Sequence, residues 1–163
     1  MTVRSQKQPH GRLVAVEIDA DSIAPGHSFI DRERAAAIRD LIADNTFSPI
    51  GRSGDRFRLT LSLVDRKLVI AISDAEGKPV VRHVLSLAPL RRVVKDYFLV
   101  CDAYYAAVRT ATRAQIAAID VGRRGLHNEG AEILRERLSD KISLDLPTAR
   151  RLFTLVSALH WKG

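Results

Sequence analysis

The segment VGRRGLHNEG at 121–130 gathers the side chains of this sequence best suited to chemistry: Arg123, Arg124, His127, Asn128 and Glu129, with Asp120 just before them. Guanidinium groups offer forked donors that match phosphate or carboxylate, while imidazole and amide groups add directional hydrogen bonds. On a continuous helix over 113–138, at about 100° per residue, Ile119, Leu126 and Ile133 align on one side. Asp120, Arg124 and His127 then fall opposite, with Asn128 beside them, which predicts an exposed recognition face. A solvated face stitched by ion pairs worth ~0.3–0.5 kcal/mol each accounts for the same residues without any function.

The glycines of this segment are its anomaly. Gly122, Gly125 and Gly130 each cost a helix roughly 1 kcal/mol relative to alanine, so something must compensate. Either close packing uses the missing side chains, or the helix breaks at Gly122–Gly125 and restarts with Asn128 as N-cap. The sequence leaves both open. A break invites a helix-turn-helix reading, but Arg123 and Asn128 stand where that motif buries apolar side chains.

Other chemistries are weaker. His127-Asn128-Glu129 has the H-x-E form of zinc deaminases without their P-C-x-x-C, and His10, His27, His83 and His160 are scattered, so no metal site is expected. GRSGD at 51–55 lacks the G-K-[ST] ending of a phosphate loop, and no cofactor motif is present. Cys101 shares a helical stripe with Tyr97, Tyr104 and Val108, which predicts a core residue and not a nucleophile.

Three further cations, Arg91, Arg92 and Lys95, open a predicted helix at the end where the helix dipole favours acids. The chain carries a formal charge of +7, and 20 of its 26 basic residues are arginine, which suits phosphate contacts but also follows from a GC-rich genome. Arg91, Arg92, Lys95, Arg123 and Arg124 support, as the leading reading, a non-catalytic binding protein whose basic helical face meets RNA, a ribonucleoprotein or an acidic protein. One rival is an enzyme acting on a small anionic substrate, with Asp120, His127 or Glu129 moving protons. Another is a homo-oligomeric adaptor, its glycine stripe and Trp161 packed on a second chain.

The elements that must position these groups follow from periodicity. Residues 1–11 read as a flexible basic tail and 12–163 as one α+β domain, large enough at this length to bury a real core. RLVAVEID at 12–19 alternates as a strand, 31–45 has helical spacing with Asp31 as N-cap, and 45–55 reads as a loop. Three strands over 56–87 form an antiparallel meander. A long helix from Pro89 carries Val93, Val94, Tyr97, Cys101, Tyr105 and Val108 against the sheet. KISLD at 141–145 is a short fifth strand, and a final helix starts near Pro147. The fold class is therefore α+β, an antiparallel sheet of four or five strands covered on one face by C-terminal helices. One cysteine, no signal-peptide pattern and no long apolar run predict a cytoplasmic protein with no membrane association.

The stretches RRVVKDYFLVCDAYYAAVRTA, QIAAIDVGRRGLHNEGAEILRERL and TARRLFTLVSALHW resemble the uncharacterised alphaproteobacterial family UPF0262, and FRLTLSLVDRKLVIAI extends the likeness into the amino-terminal half. The resemblance implies a bacterial, cytoplasmic protein. It brings no activity, cofactor or catalytic residue to transfer.

Overall fold

Alternating side chains make the strands and three-to-four spacing makes the helices. The computed structural model describes residues 11–19 and 28–160, so the basic tail, His10, His27 and Trp161 lie outside the described residues. In chain order the elements are β1 (Arg12–Ile18), α1 (Ser28–Ala43), β2 (Phe47–Pro49), β3 (Arg56–Val64), β4 (Lys67–Asp74) and β5 (Pro79–Ser86). A 3-10 turn (Ala88–Leu90), α2 (Arg91–Thr110), α3 (Arg113–Leu138), β6 (Ile142–Leu144) and α4 (Leu146–His160) follow. The α+β class stands.

β3, β4 and β5 form the expected meander, with Leu59 opposite Ile72 and Leu61 opposite Ile70 on the buried face. The sheet is mixed, not antiparallel throughout: β1 joins the free edge of β3 in parallel, and α1 lies within the crossover that a parallel pair requires. Strict alternation in β1 would send Leu13 and Val16 to opposite faces. A bulge between Leu13 and Ala15 brings both into the core. Asn45 serves the displaced backbone there, its Oδ1 accepting from the Leu13 N–H (2.6 Å) and its Nδ2 donating to the carbonyls of Leu13 (3.0 Å) and Leu41 (2.7 Å). One amide thus ties β1 to the end of α1.

Two local expectations change. The stretch read as a loop contains β2, which pairs antiparallel with β6, so the fifth strand forms a separate two-stranded ribbon. Helix α1 starts at Ser28, three residues before the expected cap Asp31. After β6, Asp145 caps α4 by accepting the Thr148 N–H at 2.9 Å, and buried Thr148 accepts the Thr46 N–H at 2.8 Å.

The buried faces of the sheet and the helices share one core that contains Leu59, Ile70, Val93, Leu134 and Phe153. α2 lies along α3 as an antiparallel hairpin, since Val100 neighbours Gly122 while Arg92 reaches Glu129. Val93, Val94, Tyr97, Phe98 and Cys101 are buried, but Tyr105 and Val108 are 45% and 52% exposed because the hairpin extends past the core at its turn end.

α3 is uninterrupted. Thr112 and Gln115 form a reciprocal capping box at its start, and no break occurs at Gly122–Gly125, so neither a helix-turn-helix nor an Asn128 N-cap exists. Close packing explains one glycine: the Phe153 ring of α4 fills the space that a Cβ on Gly130 would need. Gly122 has only Val100 at ordinary contact distance, and Gly125 faces open space, which nothing in the structure explains.

The two outer cases separate cleanly by mutation. Gly130→Ala is expected to destabilise the fold by about 1–3 kcal/mol through overpacking, whereas Gly125→Ala is expected to stabilise it by up to ~1 kcal/mol through helix propensity. Urea unfolding of both variants checks this, and a neutral Gly130→Ala would remove close packing as the reason for that glycine.

Candidate functional site

Helix α3 has two buried sides. Ile119, Leu126 and Ile133 are half-buried on the side next to α2, whereas Gly130, Ala131, Leu134 and Leu138 are buried on another, with Phe153 of α4 packed on Gly130. Residues on that second side are drawn inward even when polar. His127 and Asp120 therefore do not join Arg124 and Asn128 on an exposed face as the helical wheel suggested.

His127 is packed between rings, 5.5 Å from Phe153 in an edge-on arrangement and 5.6 Å from Tyr97. Its Nε2 lies 2.7 Å from Thr154 Oγ1, and the Thr154 hydroxyl donates to the Arg150 carbonyl at 3.2 Å. The chain of bonds is complete when Nε2 carries the proton and donates to Thr154. Burial, with Arg123 and Arg150 nearby, lowers the pKa of His127 below its ordinary value, so the imidazole is neutral.

Arg123 also turns inward. Its Nε (3.0 Å) and Nη2 (2.5 Å) donate to Asp120 Oδ1, and its guanidinium lies over the Tyr104 ring at 5.0 Å. Arg124 Nε meets the other carboxylate oxygen of Asp120 at 3.2 Å. Asp120 thus holds two arginines, and its hydrogen bond from Arg123 keeps its carboxyl below the usual carboxylate range.

The remaining expected residues lie elsewhere. Arg92 bridges Asp96 (3.2 Å) and Glu129 (2.6 Å), clamping α2 to α3. Glu129 is consequently turned away from His127, and Asp120, His127 and Glu129 do not form one proton-transfer set. Arg91, Lys95 and Asn128 are exposed.

The inward turn of Arg123 and His127 creates a cleft of 210 Å³ between α1, α3 and α4. Arg123, Arg124, His127, Arg151 and Thr154 line it on the α3 and α4 side, and Glu33 and Asp40 on the α1 side. An inner chamber of 30 Å³ adjoins it, sharing Glu33, Tyr97, Arg123 and Thr154 and adding Cys101, Tyr105 and Ser157. Glu33 accepts the Tyr105 hydroxyl proton at 2.8 Å. Burial pushes the Cys101 thiol up to about 11 and the Tyr105 phenol up to about 12, and it raises Tyr97 as well. None of these groups is an activated nucleophile at neutral pH.

Glu33, Asp40, Arg151, Thr154 and Ser157 were not among the residues singled out from the sequence. Arg151, Thr154 and Ser157 recur at spacings of three on a helix whose other residues are largely apolar, a polar stripe that marks the site. The acids of α1 carry no comparable signal. Among the described residues no three His, Cys, Asp or Glu side chains form a metal-binding group, and no helix is long and apolar enough to cross a membrane.

The family model described as "Uncharacterised protein family (UPF0262)" matches residues 10–162. A UPF0262 protein of Azorhizobium caulinodans is 56% identical over 98% of this chain and 99% of its own length. One from Xanthobacter autotrophicus is 54% identical over the whole of both chains, and one from Rhizobium leguminosarum bv. trifolii is 55% identical over 93% of this chain and 96% of its own. No solved structure matches.

The buried imidazole makes stability depend on pH with a definite sign. Because the folded pKa of His127 lies below the unfolded value of about 6.5, acidification protonates the unfolded chain first, and stability present above that pH is lost as pH falls. Arg123 from α3, Arg150 and Thr154 from α4 and Tyr97 from α2 surround the ring, and the two arginines add to this sign. His127→Asn is therefore expected to lose less stability than the unmutated protein between about pH 7.5 and 5, read by urea midpoints. Parallel curves for the two proteins would contradict the buried, neutral assignment.

Proposed function

We propose that this chain, which belongs to the UPF0262 family, is a non-catalytic binding protein that holds a small anionic ligand in the cleft between α1, α3 and α4. The observation that carries this reading is the convergence of Arg123, Arg124 and Arg151 with neutral His127 and Thr154 on one side of a 210 Å³ concavity. Arg124 is largely exposed and shares its acid with Arg123, so it retains guanidinium donors for a ligand. Arg151 donates to the Asp44 carbonyl at 2.6 Å through one nitrogen, which fixes its position. Such forked donors suit phosphate or carboxylate.

A binding role accounts for the state of the reactive groups better than catalysis does. Asp120 is committed to two arginines, Glu129 to Arg92, and the thiol and phenols are pushed towards their protonated forms. The five cations of the basic helical face are split, since Arg123 enters the cleft and Arg92 is ion-paired. A second reading, contact with RNA, a ribonucleoprotein or an acidic protein, keeps one specific support. Arg91 and Lys95 are exposed one turn apart on α2, and neither is ion-paired among the described residues.

The test is titration calorimetry of the full chain with pyrophosphate, 3-phosphoglycerate and citrate, beside an RNA shift assay at low salt. At least one small anion is expected to bind, and Arg124→Gln is expected to weaken it roughly 10–100-fold, the loss of one charge-assisted hydrogen bond. Arg91→Gln with Lys95→Gln is expected to leave that affinity unchanged. Anion binding indifferent to Arg124, or salt-sensitive RNA binding lost with Arg91 and Lys95 alone, would favour the outer face instead.

A further inference from the structure

The cleft has walls of opposite sign. Arg124 and Arg151 belong to the α3 and α4 side, while Glu33 and Asp40 belong to α1. Arg123, between the cleft and the inner chamber, has its charge answered by Asp120 and its face covered by Tyr104. A ligand carrying only negative charge would be drawn to one wall and repelled by the other.

The inner chamber supplies what the second end of a ligand would need. Ser157 is 1% exposed, lines this chamber, and its Oγ has no hydrogen-bond partner among the described residues. A buried hydroxyl without a partner is a costly arrangement that a ligand group relieves. The same chamber is lined by the Glu33 carboxylate and the rings of Tyr97, Tyr104 and Tyr105, of which Tyr104 already carries the Arg123 guanidinium. A carboxylate, a hydroxyl acceptor and aromatic rings together form a receptor for a cation. At 30 Å³ the chamber admits a group the size of a primary ammonium and little more.

We infer that the ligand is a zwitterion, its anionic group held by Arg124 and Arg151 and its primary ammonium seated in the inner chamber against Glu33 and Ser157. This rests on the anion-binding reading of the outer cleft and narrows it to one ligand class. The two spaces adjoin, with Glu33, Tyr97, Arg123 and Thr154 lining both, so a short ligand that passes these side chains places one end in each.

Two matched pairs of probes separate the claims: O-phospho-L-serine against 3-phosphoglycerate, and γ-aminobutyrate against 4-hydroxybutyrate, each pair exchanging an ammonium for a hydroxyl. With the full chain, calorimetry is expected to show at least a tenfold preference for the ammonium member of one pair. Glu33→Gln is expected to abolish the preference through loss of affinity for the ammonium member, with the hydroxyl member bound at least as tightly as before because a repelling charge is gone, and Ser157→Ala to reduce it. Circular dichroism on both variants confirms that they fold. Equal affinity within both pairs, or a preference that survives Glu33→Gln, overturns the zwitterion and leaves the anion site standing. Absence of binding by all four probes, and by pyrophosphate and citrate, overturns both.

Discussion

The close approach of α4 to α3 at Gly130 is the constraint on which the site depends. With no side chain at that position the Phe153 ring packs directly on the α3 backbone, and the next inward residue of α3, His127, is caught between Phe153 and Tyr97. One turn further along α3, Arg123 is carried to the same side and lies over Tyr104. A side chain on residue 130 would push α4 away and open the ring cluster. The cost of a glycine in a long helix is thus offset by a contact that also shapes the cleft.

Polar groups placed between packed helices must be answered locally, and here they are answered in sequence. Thr154 bonds His127 and Arg150, while Asp120 holds Arg123 and Arg124. The Ser157 hydroxyl and the Arg150 Nε stand outside this accounting. Asn45 shows the same economy at the other end of the fold, where one amide serves both the bulged strand and the last turn of α1. Its neighbour Thr46 then joins Asp145 and Thr148, so the end of α1 and the start of α4 are fixed against each other. That junction holds the two helices that carry Glu33 and Arg151.

Regular periodicity was legible and local exceptions to it were not. The meander could be read from Phe57, Leu59, Leu61 and Leu68, Ile70, Ile72 because one buried face imposes strict alternation. The bulge in β1 breaks that rule with no glycine to announce it, and β2, at three residues, is too short to show a period, although its partner β6 was read as a short strand. In α3 the apolar stripe was real, but a helix packed by two neighbours buries a wider arc than one stripe. The wheel therefore placed Asp120 and His127 on the wrong side, and it gave no sign that Arg123 is the nearer partner of Asp120.

Arginine abundance was the weakest guide to which cations stand free, and helix pairing is the physical reason. A count of cations does not distinguish Arg92, which joins two helices, from Arg123, which packs on a ring, or from Arg91, which meets solvent. What distinguishes them is the acid each can reach, and that depends on helix pairing invisible to a single periodicity. The acids matter as much as the cations: Asp120 and Glu129 remove two inward or bridging arginines from the free basic surface, while Glu33 and Asp40 put negative charge across from Arg151. A chain of strong net positive charge thereby presents a cleft of nearly balanced charge, and balance with separation selects for a ligand that carries both signs.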